Sequence, residues 1–166
     1  MKKLWILLPM LLLMTGCAAR ETFETLADQY AAEAVSTFYT LQLQLPEEAS
    51  QAVMEASDGG RLYQCDGYTV CVQELEGGDL DRTFRQVTGY GKDALTVIQT
   101  RQGDFKRYSC AWTAAGEGVQ QICRTVILDD GHAHHAVTVM ADYTLAGQLD
   151  AQWQHILNTA TLVSIG

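Results

Sequence analysis

Asp129-Asp130-Gly131 runs directly into His132, and His134 and His135 follow. Imidazoles and carboxylates at this density could ligate zinc, nickel or copper. On an extended strand His132 and His134 share one face and His135 takes the other. A closed structural site asks for four ligands, and no evident fourth joins His132, His134 and Asp130. The segment is therefore read as a polar strand end beside a turn. No metal and no other cofactor is assigned to it. A pH-dependent surface charge is a milder role for the same residues.

Other reactive side chains lack a supporting pattern. Ser57, Ser109 and Ser164 stand outside any G-x-S-x-G context, and no serine pairs with a histidine at a recognisable spacing. Asp129, Asp130, Asp142 and Asp150 could furnish paired carboxylates for glycoside chemistry, but only the fold sets their separation. Gly89-Tyr90-Gly91-Lys92 departs from G-x-x-x-x-G-K-[ST] and reads as a helix end and a turn. Cys65, Cys71, Cys110 and Cys123 lack a C-x-x-C pair, which leaves zinc little support and makes bridging the question. A two-residue Gly116-Glu117 turn would pair Ala115 with Gly118. Five steps outward that register sets Cys110 opposite Cys123 on a non-hydrogen-bonded pair, close enough for a disulfide. Around an Asp66-Gly67 turn, Cys71 faces Leu62 and Cys65 faces Tyr68, which argues against a Cys65–Cys71 link. The Cys110–Cys123 bridge is expected to be structural.

Cys17 carries a different chemistry. Lys2 and Lys3 precede an apolar run from Leu4 to Met14, and Thr15-Gly16 leads into the cysteine. The run is too short for the ~20 residues a membrane span needs, and Pro9 interrupts it. This segment resembles a bacterial lipoprotein signal ending in a lipobox, Leu13-Met14-Thr15-Gly16-Cys17. The resemblance implies cleavage between Gly16 and Cys17 and diacylglyceryl transfer to the Cys17 sulfur. Two acyl chains at one residue suffice for stable membrane residence, where one gives only marginal binding.

Loss of residues 1–16 removes two of the 11 basic residues and leaves all 20 acidic ones, so the net charge falls from −9 to −11. Nucleic acid, bound through lysine and arginine, is thereby excluded as an expected partner, as is electrostatic docking on anionic lipid. The membrane contact expected is the lipid on Cys17. A protein partner at the cell envelope fits the remaining surface.

Residues 17–36 read as a lipidated tether and a helix, with Phe23, Leu26 and Tyr30 at helical spacing. Residues 37–166 read as one α+β domain. Tyr39, Leu41, Leu43 and Leu45 alternate with polar residues as a strand that Pro46 stops. Residues 47–56 suit a short helix. A hairpin over 61–65 and 68–75 follows, then a helix capped by Asp79 and stopped by Gly89. Strands near 94–101, 104–114, 119–128 and 132–141 form a meander, before a helix from Gln148 and a strand over 161–165. The expected design is a single antiparallel sheet, one face covered by the helices near Leu80 and Trp153 and the other more polar.

The strand Leu41-Gln42-Leu43-Gln44-Leu45-Pro46 and the late helix running from Trp153 into Val163 resemble the opening and close of PsbP-like domains. Glu47-Glu48-Ala49-Ser50 stands where such domains often carry a tryptophan. The resemblance covers residues 37–166 and implies architecture more than activity. The expected function is a membrane-anchored envelope lipoprotein on the extracytoplasmic face, acting as a binding or accessory module without catalysis. The alternatives are a metal-dependent or hydrolytic enzyme using His132–His135 and a structural envelope factor without ligand.

Overall fold

The computed structural model describes residues 37–49, 52–55, 60–115 and 119–165. The signal peptide, Cys17, the 17–36 helix, Ser57 and the Gly116-Glu117 turn lie outside the described residues. Residues from Thr37 onward make one unit, separate from Met1–Ser36.

The class is α+β. Nine strands are described: β1 (Phe38–Gln42), β2 (Met54–Glu55), β3 (Arg61–Cys65), β4 (Tyr68–Glu76), β5 (Ile98–Gln102), β6 (Phe105–Ala115), β7 (Gln120–Asp129), β8 (Ala133–Asp142) and β9 (Thr161–Ile165). Two α-helices join them, α1 (Leu80–Thr88) and α2 (Ala146–Thr159). The expected single sheet is instead two: seven strands in the order β2-β3-β4-β8-β7-β6-β5, and a separate β1–β9 ribbon. Every pairing is antiparallel.

Local chemistry explains the helix ends. Asp79 accepts the Arg82 N–H at 3.0 Å, and Gly89 closes α1 at φ 80°, a conformation glycine enters without a Cβ penalty. The expected helix over 47–56 is only a 3-10 turn over Glu47–Ala49, and β2 takes part of its place. The β3–β4 hairpin keeps its expected register, with Leu62 opposite Cys71 and Cys65 opposite Tyr68.

The two helices do not share a face. α2 buries Trp153, Ile156 and Leu157 against Val70, Val72, Val126, Val137 and Val139, and the β1–β9 ribbon joins this layer through Leu41 and Leu162. α1 lies on the other face, where Phe84 packs on Tyr108, Cys110, Ile127 and Ala136. Its footing reads as polar because Thr125, Thr138 and His134 interrupt the apolar residues, yet all three are buried. Thr125 and Thr138 satisfy each other at 2.9 Å, and Trp112 Nε1 donates to Thr125 at 2.9 Å. Central strands covered on both faces bury nearly every residue, as β8 does.

The β6–β7 hairpin departs from expectation. Ala115 pairs with Gln120, so residues 116–119 form the connection and the register shifts by two. Cys110 faces Thr125 and Cys123 faces Trp112. The two cysteines are diagonal neighbours across the ladder rather than a facing pair. Their thiols are unbridged, and the direct opposition from which the disulfide was expected does not occur.

Candidate functional site

His134 and His135 sit at the start of β8 and point to opposite faces, as strand alternation requires. Both are 2% exposed. His132, expected on the face of His134, lies before the strand in the turn and is exposed. The turn itself is built by aspartates. Asp130 accepts the N–H groups of His132 at 2.8 Å and Ala133 at 2.7 Å, and Asp129 accepts that of Gly131 at 2.8 Å. These local bonds hold Asp129 and Asp130 to the backbone.

On the α1 face a hydroxyl, an imidazole and a carboxylate fall in line. Thr83 Oγ1 lies 2.6 Å from His134 Nδ1, and His134 Nε2 lies 3.9 Å from Asp129 Oδ1. The order matches the nucleophile–base–orienter arrangement of hydrolytic triads. Access decides against catalysis: Thr83 is 1% exposed, so no substrate reaches its hydroxyl. The Asp129 contact is also too long for a hydrogen bond. Thr83 Oγ1 also lies 3.2 Å from the Asp79 carbonyl, which takes its one proton when the His134 ring donates from Nδ1. Burial pushes the His134 pKa down, against the opposing pull of Asp129 and Asp130. A neutral ring is thus set between helix and sheet, and its work is to tie α1 to β8.

On the α2 face His135 Nε2 meets Asp130 Oδ2 at 3.1 Å, and its Nδ1 lies 3.9 Å from Glu74 Oε2. Burial opposes ionisation of Asp130. The N–H groups of Ala133 and His132, with the His135 ring, outweigh it and hold the carboxyl below its ordinary range. Among the described residues no three His, Cys, Asp or Glu side chains gather as metal ligands. Asp142 caps the Thr144 N–H at 2.8 Å at the far end of β8, and Asp150 pairs with Arg124, so neither joins Asp129 and Asp130 at the turn. Gly89 to Lys92 is a helix C-cap followed by a 3-10 turn. Cys110 and Cys123 are pushed up to about 11 by burial and stay protonated thiols.

A second region is open. Where the C-terminal half of α2 leaves β5, β6 and β7 uncovered, a groove of about 400 Å³ runs between Ile98, Ser109, Ala111 and Val126 on the sheet and Leu157 on the helix. Two arginines frame it. Arg107 donates to Gln102 Oε1 at 3.0 Å and to the Leu157 carbonyl at 2.8 Å, anchoring the helix end. Arg124 pairs with Asp150 at 2.5 Å and lies over the Trp153 ring. Ile98 is 62% exposed at the rim. Sequence reasoning passed over this groove, because Ile98 and Ala111 carry no reactive group. The one available signal was the β-branched run Thr96-Val97-Ile98 at the start of an outer strand.

No protein-family profile matches the sequence, and no curated protein does. Solved structures do resemble the chain. One is LpqN, involved in cell envelope biogenesis of Mycobacterium tuberculosis: 14% identity, TM-score 0.49, covering 79% of this chain and 87% of that one. Another is the Ran-binding protein Mog1p of Saccharomyces cerevisiae: 9% identity, TM-score 0.47, covering 76% of this chain and 96% of that one. Likenesses at this level carry no functional argument.

Proposed function

We propose that the chain is an envelope lipoprotein whose unit 37–166 is an interaction module that receives an apolar group in the groove beside β5. The observation that carries this reading is the groove itself. It is largely apolar, open to solvent and bordered by an exposed isoleucine, in a chain whose most reactive side chains are sealed. The unit is read as a PsbP-like domain. Support comes from strand β1 leading into Pro46 and from α2 running into β9. Cys17 is read as the diacylated anchor, on the strength of the apolar run and Thr15-Gly16-Cys17. The acidic balance fits a unit standing off an anionic membrane, held through its lipid and facing a protein partner.

The groove is tested with a solvatochromic apolar dye on the full chain. One dye per chain is expected to bind, and Ala111→Trp, which fills the groove, is expected to abolish that binding. Dye fluorescence unchanged by Ala111→Trp would remove the reading. The anchor is tested separately by metabolic labelling with a fatty-acid probe, which Cys17→Ser should eliminate.

A further inference from the structure

We infer that the edge of β5, which pairs with no further strand among the described residues, takes an extended acidic peptide as an added strand of the large sheet. This rests on the reading of the groove as a docking place and names the partner that fits it. β5 is the last strand of the seven. Gly103 at φ 60° gives a two-residue turn that closes on Gln102 opposite Phe105, a hydrogen-bonded pair. Pair types alternate along the ladder, so Thr100 and Ile98 bond inward to Arg107 and Ser109. Gln99 and Arg101 then turn their N–H and C=O groups outward, where an incoming strand can meet them.

The two faces of such a strand would meet different chemistry. On the groove side the neighbours are Ile98 and Thr100, and Ile98 is already a wall of the groove. On the α1 side Arg101 stands directly opposite Lys106, both exposed. Like charges opposite each other across a ladder repel. Lys106 shares Asp129 at 3.7 Å, whereas among the described residues the Arg101 guanidinium donates to the Asp104 carbonyl at 3.2 Å and pairs with no carboxylate. A carboxylate on an added strand would settle between Arg101 and Lys106. This pair of cations sits at the edge of a chain with 20 acidic and 11 basic residues. A second copy paired edge to edge would bring its own Arg101 against these cations, so the partner is a different, acidic segment. Charge on an edge also serves to repel other strands, but that role does not account for an exposed isoleucine beside a groove.

The test uses fluorescence anisotropy with the full chain and two labelled eight-residue peptides, one alternating valine with glutamate and one alternating valine with lysine. At low salt the glutamate peptide is expected to bind about tenfold tighter, and added salt should shrink that advantage. Arg101→Glu should reverse the preference. Gln99→Pro removes an outward N–H without costing a bond to β6, and should weaken the glutamate peptide about tenfold. Equal binding of the two peptides, or a preference that survives Arg101→Glu, would overturn the proposal. If the apolar dye still enters the groove while neither peptide binds, strand addition alone fails. Loss of dye binding as well would take the groove reading with it.

Discussion

The histidine turn at the start of β8 and the β5 edge lie near the same end of the large sheet and differ in every functional respect. Around the turn the Thr83 hydroxyl, the His134 and His135 imidazoles and two carboxylates come together, and Thr83, His134 and His135 are closed off from solvent. The edge holds glutamines, a threonine, an isoleucine and an arginine, and stands open. Residue chemistry alone ranks the turn first; accessibility reverses the order. A reactive group inside a packed layer can only stabilise, because nothing can reach it to react.

Four measurements press on that contrast. The largest effect is expected at Gly77, where an added Cβ would lie 2.4 Å from the His132 carbonyl oxygen. Gly77→Ala must push the two backbones apart and should cost about 3 kcal/mol, read from the urea midpoint. Next comes Thr83→Val, which keeps the shape but strips His134 Nδ1 of its partner. It should cost roughly 1–3 kcal/mol, the penalty for a buried polar group left unsatisfied. A variant no less stable than the parent would mean that the hydroxyl does not tie α1 to the sheet.

The third is a pH dependence. The folded His134 pKa lies below its ordinary 6.5, so the unfolded chain binds the extra proton first as pH falls. Stability should therefore decline as pH drops below about 6.5, and His134→Asn should flatten that decline. Asp130 has the opposite proton preference to a raised carboxyl, and its contribution should be lost only below 3.8. Denaturation midpoints between pH 7.5 and 3 resolve the two steps. The smallest effect belongs to the open edge: Thr100→Ala should change stability by no more than about 0.5 kcal/mol. A cost as large as that at Thr83 would show that the edge is as sealed as the turn.

Much of the fold was legible. The caps at Asp79 and Gly89, the Asp66-Gly67 hairpin and the order of the meander follow from local chemistry that tertiary packing did not override. What escaped has identifiable causes. A two-residue slip in β6–β7 leaves every side chain on its original face, so the alternating pattern cannot distinguish Cys110 opposite Cys123 from Cys110 opposite Thr125. Only the length of the connection decides, and glycines at 116 and 118 suit more than one. The second covered face escaped because Ala136, Thr138 and His134 read as polar or small, while Phe84, the residue that covers them, lies some fifty positions away. At the candidate sites the sequence drew attention to His132, His134 and Asp130, but Thr83 could be joined to His134 only through the packing of α1.

The seam between β4 and β8 carries a consequence for assembly. β8 residues pair with β4 residues 57 to 71 positions earlier, Ala133 with Glu76 and Met140 with Thr69. Until residue 133 and beyond have been made, β3 and β4 have only each other and the two-residue β2, and so small a sheet is marginal in water. The early half of the chain therefore cannot lock before the late half arrives, a high-contact-order arrangement that delays folding. On the export reading proposed above, that delay is an advantage: it keeps the polypeptide transportable until its last fifth, from residue 133 on, has emerged.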